Sequence, residues 1–315
     1  RTGAGAEAAA AQSPFAAGKA VSASRVESYA TCPYQYFLAN TLYIEPVKEP
    51  EAIDRLDPLQ RGNLVHEILQ RFLTALGPGD PPRAGRREAH IDLLMQVARE
   101  CGATREQRGV TGRALLWAID RQQIEEDLER WYDDEVREAA ACDFRPAAFE
   151  ARFGTLPYGD GDEDTTYSKD APLELTVAGR SMKFRGRIDR IDLGGGRFRV
   201  IDYKTGKTRP KGVLRRGESM QLPIYMHAGA HLMGLPAERG EAQYYFVSSK
   251  GGFERFGITG EALAGLQEQF ERVLAVTADG MEQGFFPPNP SKEHCEYCDF
   301  KDICDARIIP LMEKK

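Results

Sequence analysis

Hydrophobic positions recur at helical spacing first between Pro58 and Leu76. Val65, Ile68, Leu69, Phe72, Leu73 and Leu76 form one stripe, which predicts an amphipathic helix over that span. His66 falls on the edge of the stripe, and Gly77 with the Pro-Gly run after it ends the helix. Before it, Ser24-Arg25-Val26-Glu27 reads as a capping box with Ser24 as N-cap, so a short helix is expected to run into Cys32-Pro33. Residues 86 to 141 predict two more helices, the second carrying Leu115, Ile119, Leu128, Trp131 and Val136.

The period changes near Ala148 from helical to alternating. Strands are expected at Phe149–Phe153, Leu173–Val177, Met182–Leu193, Phe198–Lys204 and Gln243–Ser248. Helices at Glu218–Met233 and Gly260–Gln283 interleave with them. The class is therefore α/β with a largely helical N-terminal half. The Ala- and Gly-rich residues 1–20 read as a flexible linker. The remainder, 21–315, reads as one domain: a helical insertion at 78–148, a core at 149–286 and a cysteine-rich end at 287–315. The acidic stretch from Tyr158 to Asp170 reads as an exposed loop.

Two alternating runs flank Gly194-Gly195-Gly196-Arg197, the pattern of a β-hairpin. With those four residues as the loop, Leu193 pairs with Phe198, Asp192 faces Arg199 and Asp189 faces Asp202. Directly opposed side chains are ~4.5–5.5 Å apart at Cβ, and like charges so placed repel. A divalent cation would relieve that repulsion, and hard oxygen donors favour Mg²⁺ or Mn²⁺. Lys204 projects on the same face as Asp202 and could orient a water. These parts suit metal-assisted hydrolysis of a phosphodiester. Alone, an Asp-x-Lys pair on a strand is usually a solvated face.

Composition bounds the reading. The 315 residues carry 42 Lys plus Arg against 48 Asp plus Glu, a formal charge of −6. That argues against a uniformly basic nucleic-acid binder and leaves room for a local basic groove. Lys204, Lys207, Arg209, Lys211, Arg215 and Arg216 follow the second strand with no acid among them, which suits contact with a phosphate backbone. A solvated surface loop is the plain alternative. No apolar run reaches the ~18 residues of a membrane span.

Asp189, Asp202 and Lys204 together resemble the PD-(D/E)XK nuclease motif, here without its Pro. Gly62-Asn63-Leu64-Val65-His66-Glu67 resembles the G-x-x-x-H motif of the RecB-like branch, and Gln221-Leu222-Pro223-Ile224-Tyr225 its Q-x-x-x-Y motif. The resemblance implies a restriction-endonuclease-like core with a mixed central sheet. It implies that His66, Asp189, Asp202 and the Tyr203 carbonyl hold the metal, and that Lys204 positions the attacking water. Gln221 and Tyr225 would organise the site or contact substrate. Helix packing is an equal reading for that pair.

Cys295-x2-Cys298-x5-Cys304 leaves a tetrahedral site one ligand short, and Cys32 is the best fourth candidate. AddB-type and CRISPR adaptation nucleases have a similar arrangement. The resemblance implies a [4Fe-4S] cluster clamping the two ends of the domain, with Zn²⁺ as the rival occupant. Cys101 and Cys142 read as ordinary small side chains. Thiols so used imply a reducing, cytoplasmic setting. The implied function is a metal-dependent DNA nuclease in recombinational repair, acting on single-stranded ends with 5′→3′ polarity by analogy and alongside a helicase. A silent DNA-binding scaffold, or a stand-alone adaptation nuclease, would carry the same motifs.

Overall fold

The computed structural model describes residues 15, 18–45, 54–155, 166–207 and 219–304. Six longer helices are described: α1 (Ala23–Thr31), α2 (Pro58–Leu76), α3 (Arg87–Gln107), α4 (Ala114–Ala141), α5 (Gln221–Met233) and α6 (Gly260–Glu282). The strands are β1 (Arg145–Phe153), β2 (Leu173–Val177), β3 (Arg180–Phe184), β4 (Gly186–Gly194), β5 (Arg197–Lys204), β6 (Gly240–Phe246) and β7 (Arg255–Thr259). Five strands make a mixed sheet in the order β1-β4-β5-β6-β7, and β2 pairs with β3 in a separate ribbon. Within the sheet only β5 and β6 run parallel. Parallel neighbours need a crossover, and α5 provides it.

Two apolar cores form. α1, α5 and α6 pack with Ile188, Ile191, Phe198 and Val200 in one. α2, α3 and α4 pack with Phe149, Ile201, Tyr203 and Tyr245 in the other. The residues between 78 and 148 thus form a layer that shares its core with the sheet.

The helix predicted at Pro58–Leu76 has those bounds, with Asp57 capping it through the Leu59 and Gln60 N–H groups. Several expectations need correction. The first helix starts earlier, capped by Ser22 in place of Ser24, because the Ser22 hydroxyl is the one that reaches the Arg25 N–H. In α4 the buried residues include Trp117, Ile124, Leu128, Trp131 and Tyr132, while Leu115 and Ile119 are exposed. The single strand expected over Met182–Leu193 is two, β3 and β4, divided at Arg185. Strand β7 carries no alternation strong enough to have been foreseen.

The hairpin register is as expected from Leu193 to Asp192: Leu193 pairs with Phe198 and Asp192 with Arg199. Its turn is tighter, because Gly194 itself pairs with Arg197. The two linking residues, Gly195 and Gly196, have φ of 56° and 71°, the left-handed values of a two-residue hairpin turn. Asp192 faces Arg199 on the ladder, but its carboxylate is taken by Arg190. Arg199 turns to Glu138 and Glu241.

α5 lies close on the sheet at Gly229. A Cβ there would sit 2.6 Å from Val200 Cγ2 and 2.7 Å from the Phe198 ring. Overpacking costs about 1–3 kcal/mol, more than the ~1 kcal/mol that alanine gains over glycine in a helix. Gly229→Ala is therefore expected to lower the urea midpoint. A midpoint at or above wild type would show that α5 can lift off the sheet without loss.

Candidate active site at the open end of the hairpin

The ladder between β4 and β5 stops at Arg190–Ile201. One residue further, Asp189 Oδ2 accepts the Tyr203 N–H at 2.8 Å. The expected Asp189–Asp202 pair is thus absent from the ladder, since the carboxylate has replaced a strand partner. The strand ends open, and α2 fills the gap with His66. The ring Nε2 lies 2.9 Å from the Tyr203 carbonyl oxygen and donates to it. The ring Nδ1 lies 3.4 Å from Asp189 Oδ2.

A further residue joins them. Glu150 of β1 offers a carboxylate oxygen within 4.8 Å of donor atoms of His66 and Asp189. It also pairs with Arg187, at 2.6 Å. Glu150 has φ of 52°, a left-handed value costing about 1–3 kcal/mol for a non-glycine residue. The register of β1 also shifts between Pro146 and Ala148. Sequence reasoning placed a strand here and missed the glutamate's role. The available signal was a carboxylate inside an apolar strand, Ala148-Phe149-Glu150-Ala151.

Asp202 is 4% exposed and is held from the opposite side. Gln221 Nε2 donates to its Oδ1 at 2.8 Å, and the Lys204 ammonium lies against Oδ2. Lys204 also donates to Gln221 Oε1 at 3.2 Å and sits over the Tyr244 ring, 4.9 Å from its centroid. Tyr225 is buried beside Gln221. Burial, then the Asp202 charge, pushes its hydroxyl well above the ordinary range. All the sequence-selected residues of the three motifs therefore gather at one end of the sheet.

The electrostatics suit a bound cation. Burial and the Asp189 charge push Asp202 up to about 6, against Lys204. Burial disfavours charge on His66, yet Asp189, with Asp202 and Glu150 beyond it, outweighs that and lifts the imidazole to about 9. Asp189 is likewise penalised by burial, but His66 and the Tyr203 N–H hold it below the usual range. The carboxylates thus draw positive charge onto the imidazole. Two carboxylates, a carbonyl and one imidazole are the donor set of a hard divalent cation, and His66 would shed its proton on ligating. Asp202 Oδ2 is buried without a well-directed hydrogen bond, which leaves a lone pair for the same purpose. The residues fit the metal.

Tyr203 is anchored on its other side by a buried ionic cluster. Its hydroxyl lies 3.3 Å from Arg190 Nη1, and Arg190 is 3% exposed. Glu135 of α4 accepts from Arg190 at 2.6 Å and from Arg255 of β7 at 2.8 Å.

Of the basic residues expected to meet DNA, Lys207 is exposed just after β5. Arg209, Lys211, Arg215 and Arg216 lie outside the described residues. A cleft of about 550 Å³ opens beside the same strand end, lined in part by Arg55, Arg61, Thr205, Gly206 and Lys250. Arg55 is paired there with Asp120.

Of the four selected cysteines, Cys32 lies against the segment after α6 that carries Cys295 and Cys298. Burial, and then the neighbouring Cys32 and Cys295, raise the Cys298 thiol. Backbone N–H groups of Asn289 and Ser291 point at Cys32 Sγ and Cys295 Sγ, at 3.5 and 3.4 Å. No three of these sulfurs lie within 4.8 Å of one another among the described residues. Protein contacts join the ends: Tyr29 donates to the Phe285 carbonyl at 2.6 Å, and Phe37 stacks on Phe286 at 4.9 Å. Cys101 is buried between α2 and α3, with its thiol toward Glu67. Cys142 turns to Glu138.

The family model of the PD-(D/E)XK nuclease superfamily matches residues 20–305. The chain belongs to that superfamily. It is 28% identical over 274 residues to an ATP-dependent helicase/deoxyribonuclease subunit of Moorella thermoacetica, covering 83% of this chain and 22% of that protein. The protein of the same name from Lachnoclostridium phytofermentans is 28% identical over 222 residues, covering 67% of this chain and 17% of that one. The Gene 69 protein of Mycobacterium phage D29 is 30% identical over 124 residues, covering 38% of this chain and 42% of that protein. This chain therefore spans about a fifth of the length of the helicase/deoxyribonuclease subunits it matches. No described helix is long and apolar enough to cross a membrane.

Removing one partner from a buried ion pair costs about 3–5 kcal/mol, so Glu135→Gln should destabilise the chain strongly near neutral pH. Burial opposes the Glu135 charge, but Arg190 and Arg255 outweigh it and hold the carboxyl below its ordinary value of 4.5. Its stabilisation is full above that unfolded value and is lost as pH falls through the lower folded one. The gap between variant and wild type should therefore narrow in acid. Urea melts that show an unchanging gap would place the stabilisation elsewhere.

Proposed function

We propose that this chain is the nuclease domain of a helicase–nuclease and hydrolyses DNA phosphodiesters with Mg²⁺ or Mn²⁺. The observation that carries the reading is the meeting of His66, Asp189 and the Tyr203 carbonyl beside Asp202 and Lys204, at the open ends of β4 and β5. Superfamily membership and the helicase/deoxyribonuclease relatives support it.

A divalent cation bound there would supply Lewis-acid polarisation of the scissile phosphate. His66, Asp189, Asp202 and the Tyr203 carbonyl would hold it, and Glu150 would join that set. Lys204 orients the attacking water and faces the charge that develops on phosphorus oxygens. Gln221 keeps Lys204 and Asp202 in register by bonding to both. Tyr225 packs behind Gln221. Hydrolysis adds the water oxygen to phosphorus and breaks one P–O ester bond; the attacking water gives up one proton and the departing alkoxide takes one up, so protons balance overall.

The substrate is DNA with free single-stranded ends, degraded 5′→3′ in recombinational repair in the cytoplasm. Lys207, with Arg209, Lys211, Arg215 and Arg216, meets the phosphate backbone. Cys32, Cys295, Cys298 and Cys304 would hold a [4Fe-4S] cluster, which would join α1 to the segment after α6. The N–H groups aimed at Cys32 and Cys295 favour anionic sulfurs.

Asp202→Ala and Lys204→Ala should each reduce Mg²⁺-dependent cleavage of end-labelled DNA by about 10³-fold or more, with circular dichroism and the melting midpoint little changed. Undiminished cleavage by both would overturn the assignment. Glu150→Ala should weaken Mn²⁺ binding, read by titration calorimetry, and an unaltered affinity would remove Glu150 from the ligand set. Purified anaerobically, the chain should show iron and a broad visible absorption that Cys298→Ser loses. A site filled with zinc would replace the cluster and leave the nuclease reading intact.

A further inference from the structure

Glu27 sits in α1, far in sequence from Asp189, Asp202 and Lys204, and its carboxylate leaves its own helix. Oε1 accepts the Met220 N–H at 2.8 Å, the Gln221 N–H at 2.9 Å and the Ser219 hydroxyl at 3.2 Å. These groups form the start of α5, whose N-cap residue Met220 makes no side-chain cap bond. Glu27 therefore caps α5 from another helix, and its charge meets the positive helix end.

Two arms run from this point to Lys204. In the first, Gln221 is the opening residue of α5, and its side chain bonds both Asp202 and Lys204. First turns fray when their N–H groups lack acceptors, so the cap decides whether Gln221 keeps its place. In the second, Ser219 is buried, 2% exposed. Ser219 gives its one proton to Glu27, so its oxygen accepts from the Tyr244 hydroxyl, 2.7 Å away. The Tyr244 ring centroid lies 4.9 Å from the Lys204 ammonium. One carboxylate thus holds both the side chain beside the lysine and the ring beneath it.

We infer that Glu27 is a positioning residue, which fixes Lys204 and Asp202 through the start of α5 and through the Ser219–Tyr244 pair. The inference rests on the nuclease reading above and adds to it a residue outside the three motifs. α1 also carries Cys32 at its C-terminal cap, so the helix touching the cysteine end is the one that sets the lysine.

The test compares Glu27→Ala and Glu27→Gln with wild type, below the melting midpoint of each and at equal iron content. Misplacing a catalytic group by about 1 Å can cost roughly 100-fold. Glu27→Ala should therefore lower kcat about 10–100-fold with KM little changed. Glu27→Gln should recover most of the loss, because its amide oxygen still accepts the same three bonds. Amide exchange at Met220 and Gln221 should quicken in Glu27→Ala and stay slow in Glu27→Gln. A folded Glu27→Ala with wild-type kcat overturns the inference, as does a Glu27→Gln no better than alanine. Should wild type itself not cut DNA, the nuclease reading falls. In that case exchange at Met220 and Gln221, with Mn²⁺ titration of the same variants, decides: no change in either overturns the role of Glu27.

Discussion

A guanidinium buried between the sheet and α4 sets the frame for the rest. Arg190 is bound by Asp192 on its own strand, by Glu135 on α4 and by the Tyr203 hydroxyl on β5. Burying one cation is costly unless its hydrogen bonds are met, and here three different elements meet them. Slipping β4 by one residue would carry Arg190 to the other face, into the apolar core of α5 and α6. The charge therefore penalises a slip of one residue in either direction. Glu135 also bonds Arg255 on β7, so one helix carboxylate addresses strands near both ends of the sheet.

That register puts Asp189 one residue beyond the last paired position. A side chain at such a point can either continue the ladder's spacing or intrude on it. Asp189 intrudes, taking the Tyr203 N–H that a strand partner would have taken. The two strands part there, and His66 of α2 reaches both the Tyr203 carbonyl and the Asp189 carboxylate in the gap. Tyr203 is central to both halves: its hydroxyl faces the structural cation, its N–H faces Asp189 and its carbonyl faces His66. The buried ion cluster and the carboxylates of the candidate site are separated by the thickness of one strand. Asp202 and Lys204 project to the other side and meet α5, which the parallel β5–β6 pairing obliges to return across that face.

The parts of this arrangement that were legible in the sequence are those with a local period. The apolar stripe from Val65 to Leu76 set the bounds of α2, and the alternation around the glycine turn set the register of the hairpin. Hence Asp202 and Lys204 could be placed on one face from the alternation, whereas His66 was selected only through the resemblance to the G-x-x-x-H motif. The facing of Asp189 and Asp202 was not legible, because alternation assumes that a ladder continues and cannot show where a side chain ends it. Glu150 escaped for a related reason, since a left-handed φ inside a strand has no periodic signature. Ser24 and Glu27 fitted a capping box by type and spacing. Pattern alone does not say that Ser22 would cap α1 or that Glu27 would cap a helix almost two hundred residues later. Long-range capping carries no local signal at all.

The joining of α1 to the segment after α6 follows the same logic of distant contacts. α1 is tied at its C-terminal end to the segment after α6, through Tyr29, Cys32 and the Phe286 stack. Its middle is tied to the start of α5 through Glu27. Bringing such remote segments together has an entropic cost that grows only slowly with loop length, so a few part-buried bonds and one aromatic stack can offset it. A short helix held at both points has little freedom left to tilt. Any group that binds the cysteines would therefore stiffen α1 as a unit, and the stiffness would reach Gln221 without passing through the sheet. On the proposed reading, that connection is a physical reason for the cysteines to lie far from the lysine and still bear on its position.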